Sequence, residues 1–125
     1  MTQRQFQILV VEDEMMIALD IEDCLIALGH GVVGPVSRVL NAMRLAETET
    51  IDLAFLDINV AGEEIYPVAE VLKARGIPFV FLSGYGVRGL SENWASSPML
   101  AKPFALEDLK ARVEMFMQDA AQASI

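Results

Sequence analysis

Short apolar runs alternate with amphipathic stretches along this chain. Ile8-Leu9-Val10-Val11 reads as a buried strand, followed by a helix from Met15 to Leu28 that Gly29 and Gly31 stop. Val32-Val33 is a weaker second strand closed by Gly34-Pro35. Ser37 is expected to cap a second helix whose inner side carries Val39, Leu40, Met43 and Ala46. Leu53-Ala54-Phe55-Leu56 is the third strand, and Ile65 to Arg75 the next helix, with Pro67 in its first turn and Gly76 ending it. Phe79-Val80-Phe81-Leu82 is the fourth strand. Between Gly84 and Ser97 the pattern weakens, with three glycines and room for a short helix from Ser91. Met99-Leu100-Ala101 makes a short fifth strand. Leu106, Leu109, Val113, Phe116 and Ala120 then recur at spacings of 3, 4, 3 and 4, the apolar stripe of a last helix.

Five strands alternating with helices predict an α/β fold, a parallel sheet with helices on both faces. The strands are continuously apolar, as strands buried on two faces must be. The expected order is 2-1-3-4-5, the flavodoxin-like arrangement. The 125 residues fit a single domain with its core at about residues 6–121. With 54% hydrophobic residues the chain has material for a core without disulfide or structural metal. Cys24, the single cysteine, is expected to be a small buried thiol. A net charge of −9 argues against nucleic-acid binding, which needs a basic face. The polar stretch Met1 to Gln7 has no signal-peptide core, and no run reaches the roughly 18 apolar residues of a membrane span. A cytoplasmic protein with no output domain after Ile125 is therefore expected.

Polar residues close the strands: Glu12-Asp13-Glu14 after the first, Asp57 after the third, Ser83 after the fourth and Lys102 after the fifth. In a parallel sheet these positions share the carboxyl edge, where ligands bind in such folds. Two carboxylates about 5 Å apart repel by about 3 kcal/mol at an effective dielectric of about 20, so Glu12, Asp13 and Asp57 together would take up protons or recruit a cation. Mg²⁺ suits an oxygen-only site that also meets phosphate. The backbone carbonyl of Asn59 offers a further ligand, Lys102 a positive charge and Ser83 a hydroxyl. A nucleophile, a metal and donors for phosphoryl oxygens are the parts of phosphoryl transfer. Each residue alone has an ordinary reading: helix N-terminal charge for the acids, a turn for Asp57 and Ser83, a loop for Lys102. All of them at matching strand ends point to chemistry.

The fragments Ile8-Leu9-Val10-Val11-Glu12-Asp13-Glu14, Leu56-Asp57-Ile58-Asn59, Leu82-Ser83-Gly84 and Lys102-Pro103-Phe104 resemble those of CheY-like receiver domains from bacterial two-component response regulators, over essentially the whole chain. The resemblance implies that Asp57 accepts a phosphoryl group from a histidine kinase or phosphotransfer protein. It implies that Asp13 binds Mg²⁺ directly with Glu12 assisting through water, that Asp57 and Asn59 complete the metal site, that Ser83 and Lys102 contact the phosphoryl group, and that the Lys102-Pro103 bond is cis. Ile77-Pro78-Phe79-Val80-Phe81-Leu82-Ser83-Gly84-Tyr85-Gly86 is similar to the motif of the FAT GUY receivers, with Leu82 and Ser83 in place of its Ala and Thr. That subgroup is commonly single-domain and paired with kinases of the HWE or HisKA2 classes. Many receivers carry an aromatic switch residue where this chain has Met99; Tyr85, or a rearrangement of Gly84 to Gly89, is expected to replace it.

A haloacid-dehalogenase type phosphatase would carry a second acid where Asn59 stands. A flavodoxin would have a phosphate cradle in place of the acidic first loop. A binding module that no longer accepts phosphate is at odds with the full set Asp13, Asp57, Ser83 and Lys102. The chain is thus expected to be no turnover enzyme, catalysing only its own phosphorylation and dephosphorylation and signalling or relaying through protein contacts.

Overall fold

The computed structural model describes residues 5–84 and 89–123. Seven strands and four α-helices follow one another: β1 (Gln7–Val11), α1 (Met15–Ala27), β2 (Gly31–Val36), α2 (Val39–Thr48), β3 (Leu53–Asp57), β4 (Asn59–Val60), β5 (Glu63–Glu64), α3 (Tyr66–Ala74), β6 (Phe79–Ser83), β7 (Met99–Ala101) and α4 (Leu106–Ala123). The five-stranded sheet runs β2-β1-β3-β6-β7, all parallel. With the β4–β5 hairpin set aside, this is the expected order 2-1-3-4-5.

Alternate residues of the central strands feed two cores. Ile8 and Val10, Leu53 and Phe55, Val80 and Leu82 face α1 and α4, meeting Ile21, Leu25, Leu109 and Val113. Leu9 and Val11, Ala54 and Leu56, and Phe81 face α2 and α3, meeting Ala42, Ala46, Val68, Ala69 and Leu72. Continuous apolar runs in the sequence thus mark strands covered on both sides.

The structure corrects several boundaries. β2 continues through Gly34-Pro35 to Val36, because an edge strand tolerates proline and the register with β1 shifts there. Gly34 sits at φ +96°, and a Cβ on it would lie 2.8 Å from the Val36 nitrogen. Since β2 runs this far, Ser37 and Arg38 must turn the chain, and Arg38 rather than Ser37 is the N-cap of α2, without a side-chain cap bond. Leu40 points to solvent; Val39, Ala42 and Ala46 form the buried face. On α4, Leu106 is likewise exposed, and Phe116 and Ala120 are half-buried at the edge of the core. Cys24 is half-buried rather than buried, its thiol pushed up by burial and then by the Glu107 charge. The short helix expected from Ser91 is a single 3₁₀ turn, Glu92–Trp94. Tyr85 lies outside the described residues. No described helix is long and apolar enough to cross a membrane.

Candidate functional site

The strand register brings the chemistry together. Val11 lies beside Leu56, Asp57 beside Leu82 and Ser83 beside Ala101, so Glu12, Asp57, Ser83 and Lys102 leave neighbouring strands at one edge. Backbone bonds lock that edge: Ile58 N–H donates to the Leu82 carbonyl (3.2 Å) and Lys102 N–H to the Ser83 carbonyl (2.8 Å). The Lys102-Pro103 bond is cis. Asp13, Asp57, Asn59, Ser83 and Lys102 line a cleft of about 570 Å³ together with Glu14, Ile58, Glu64, Gly84 and Gly89. Glu12 lies beneath it, 1% exposed.

Lys102 bridges the two buried acids. Its Nζ stands 2.7 Å from Glu12 Oε1 and 3.3 Å from Asp57 Oδ2. Burial works against the ammonium, but the Glu12 hydrogen bond and the Asp57 and Glu12 charges outweigh it and raise its pKa. Asp57, 7% exposed, is pushed up to about 7, first by burial and then by Glu12, with Lys102 opposing. Asp13 sits at the rim. Partial burial would raise its carboxyl, yet the Ala61 N–H (2.9 Å) and the neighbouring side chains hold it below 3.8.

Ligand oxygens of Glu12, Asp13 and Asp57 all lie within 4.8 Å of one another. Glu12 Oε2 accepts the Glu14 N–H (3.0 Å), and the buried Oε1 faces the Lys102 ammonium. Three acids against one lysine leave negative charge uncompensated, which a hard divalent cation with oxygen ligands would neutralise. The donor set therefore fits Mg²⁺. Asn59 turns its side-chain oxygen to the Gly62 N–H (3.0 Å), which leaves its backbone carbonyl as the donor expected of it.

Three residues at the site escaped the sequence. Ala61 and Gly62 form the loop of the β4–β5 hairpin at φ +52° and +85°, and the Ala61 N–H fixes Asp13. The Ala61-Gly62 pair between Val60 and Glu63 was the available signal, but Ala is a rare first residue for a two-residue turn with both φ positive. Glu64 on β5 adds an exposed acid to the cleft rim, and no motif marks it.

No protein-family model matches the chain. Among solved structures it is similar to SdrG from Sphingomonas melonis Fr1, with 39% identity, 94% of this chain and 99% of that one covered, and a TM-score of 0.80. The receiver domain of the sensor histidine kinase PA1611 from Pseudomonas aeruginosa PAO1, solved with a magnesium ion in its active-site cleft, matches with 26% identity, 92% and 99% coverage and a TM-score of 0.78. The phyllosphere-induced regulator PhyR of Methylorubrum extorquens is 31% identical over 122 residues, 93% of this chain and 46% of PhyR. The chain spans about half the length of the curated relatives it matches. Sheet order, strand-end constellation and these likenesses agree: the chain belongs to the CheY-like receiver domains of response regulators.

Proposed function

We propose that Asp57 accepts a phosphoryl group from the phosphohistidine of a sensor kinase or phosphotransfer protein, in a reaction that requires Mg²⁺. One observation carries this: a nearly buried carboxylate at the sheet's carboxyl edge, held 3.3 Å from a lysine and crowded by two further acids. An Asp57 carboxylate oxygen attacks phosphorus, the P–N bond to the imidazole breaks, and its electron pair returns to the ring nitrogen, leaving an acyl phosphate. Hydrolysis later places a water oxygen on phosphorus and returns the Asp57 carboxylate and inorganic phosphate. Lys102 counters charge on the transferring group, and Ser83 supplies a hydroxyl donor to one of its oxygens. Glu12, Asp13, Asp57 and the Asn59 carbonyl would hold Mg²⁺, which when bound neutralises charge between carboxylates and phosphoryl oxygens.

On this reading the chain turns over no small phosphate ester and acts through protein contacts. The Pro78-Phe79-Val80-Phe81-Leu82-Ser83-Gly84-Tyr85 stretch supports membership of the FAT GUY subgroup, and with it a kinase of the HWE or HisKA2 class.

The test is intact-protein mass after incubation with acetyl phosphate, with and without Mg²⁺, for the wild type and Asp57→Asn. A single Mg²⁺-dependent phosphoryl adduct that Asp57→Asn abolishes is expected. No adduct from acetyl phosphate or from a panel of phosphorylated HWE and HisKA2 kinases would reduce the domain to a binding module.

A further inference from the structure

Tyr66, the first residue of α3, does not line the cleft, yet it is bonded to Gly89, which does, and to Ser91. Its hydroxyl accepts the Ser91 N–H (2.8 Å) and donates to the Gly89 carbonyl (3.3 Å). Gly89 in turn abuts Ser83: a Cβ on Gly89 would lie 2.2 Å from Ser83 Oγ. On its other side the Tyr66 ring stacks on Trp94, with centroids 5.8 Å apart and planes 7° from parallel, and both rings meet Phe81 edge-on. Trp94 is the chain's single tryptophan and is 7% exposed. Lys73 Nζ stands 5.6 Å from its ring, so the far side of the stack reaches the α3 surface.

We propose that Tyr66 is a positioning residue that couples the Ser83 hydroxyl, through Gly89 and Ser91, to the Trp94 stack. The proposal rests on the phosphoryl-acceptor reading. When Ser83 Oγ turns to a phosphoryl oxygen, the close contact with Gly89 is relaxed. Gly89 and Ser91 share one phenolic oxygen, so the segment moves with the Tyr66 ring and the shift is delivered to Trp94. Met99, where many receivers carry an aromatic switch, is half-buried against the same cluster as Trp94 and has no polar end with which to hold this segment. The Tyr66 hydroxyl supplies that polar tie from a different element.

The experiment reads Trp94 emission on adding beryllofluoride with Mg²⁺, alongside the acetyl phosphate adduct by mass, for the wild type, Tyr66→Phe and Ser91→Pro. Tyr66→Phe keeps the ring and loses the hydroxyl. Ser91→Pro, at a residue whose φ of −68° suits proline, replaces the N–H donor with a ring carbon and so breaks the tie from the side of the segment. We expect a Mg²⁺-dependent emission change in the wild type, reduced at least about three-fold in both variants, while adduct formation stays within about three-fold of wild type. A purely structural Tyr66 would shift the unliganded emission and the melting midpoint but leave the response to beryllofluoride intact, and that result overturns the proposal. So does a wild-type protein that forms the adduct with no change at Trp94. A wild type that forms no adduct with acetyl phosphate or with the phosphorylated kinases instead removes the phosphoryl-acceptor reading, and the proposal with it. Should Tyr66→Phe fail to fold, Ser91→Pro decides alone.

Discussion

Asp57→Asn is expected to make the protein more stable while abolishing its chemistry. Asp57 titrates near 7 in the fold against 3.8 as a free side chain, raised by burial and by Glu12. At about 1.36 kcal/mol per pH unit the difference is an upper figure of about 4 kcal/mol. The carboxyl borders an open cleft, and solvent screening there cuts this to about 2 kcal/mol. The sign follows from proton counts. The folded state holds the Asp57 proton more tightly than the unfolded chain, so this group's contribution is fully present below 3.8 and is lost as pH rises through about 7. Asparagine has the shape without the charge. The variant should match the wild type at about pH 4, diverge between about pH 4 and 7, and at pH 8 in chelator melt about 6–10 °C higher. Mg²⁺ should close the gap by stabilising the wild type and hardly affect the variant. Thermal melts across pH with and without Mg²⁺ measure all of this. A variant no more stable than wild type at pH 8 in chelator would refute the claim that carboxylate crowding strains the empty site.

Lys102 and a divalent cation compete for Glu12 and Asp57, so Lys102→Met should bind Mg²⁺ at least about tenfold more tightly by titration calorimetry, yet form the Asp57 adduct more slowly; weaker Mg²⁺ binding would contradict the charge argument. His30 is buried, with Nδ1 accepting the Phe6 N–H (3.0 Å), and burial holds its pKa below 6.5. Its contribution is therefore present above pH 6.5 and lost as pH falls through its depressed folded value, so melting midpoints should drop more steeply from pH 6.5 downward in wild type than in His30→Asn. Ala61 adopts φ +52° at the first position of a turn that favours Asn-Gly, so Ala61→Asn should add about 0.5–1 kcal/mol in denaturant unfolding without weakening the Ala61 N–H bond to Asp13. A loss of stability would mean that the hairpin is held by something other than its turn.

The sheet, its order and the edge where the acids gather were all legible from residue pattern. Two-sided burial demands continuous apolar strands, parallel strands demand helical crossovers, and polar residues at strand ends then share one edge whatever their separation in the chain. Glu12, Asp13, Asp57, Asn59, Ser83 and Lys102 were legible for that reason, and the structure gathers all of them around one cleft. Other features depend on spatial neighbours that no periodicity encodes. Gly34-Pro35 reads as a strand end, yet at the sheet edge it is a bulge inside β2, because proline's missing N–H is harmless where no further strand pairs. Leu40 fits a helical stripe but points outward, since the entry of α2 is set by how far β2 runs. The Ala61 tie to Asp13 and the Tyr66 tie to Gly89 and Ser91 join residues 48, 23 and 25 positions apart. Each uses a backbone group, whose donors and acceptors are the same for every residue type, so only the folded chain reveals which of them meet.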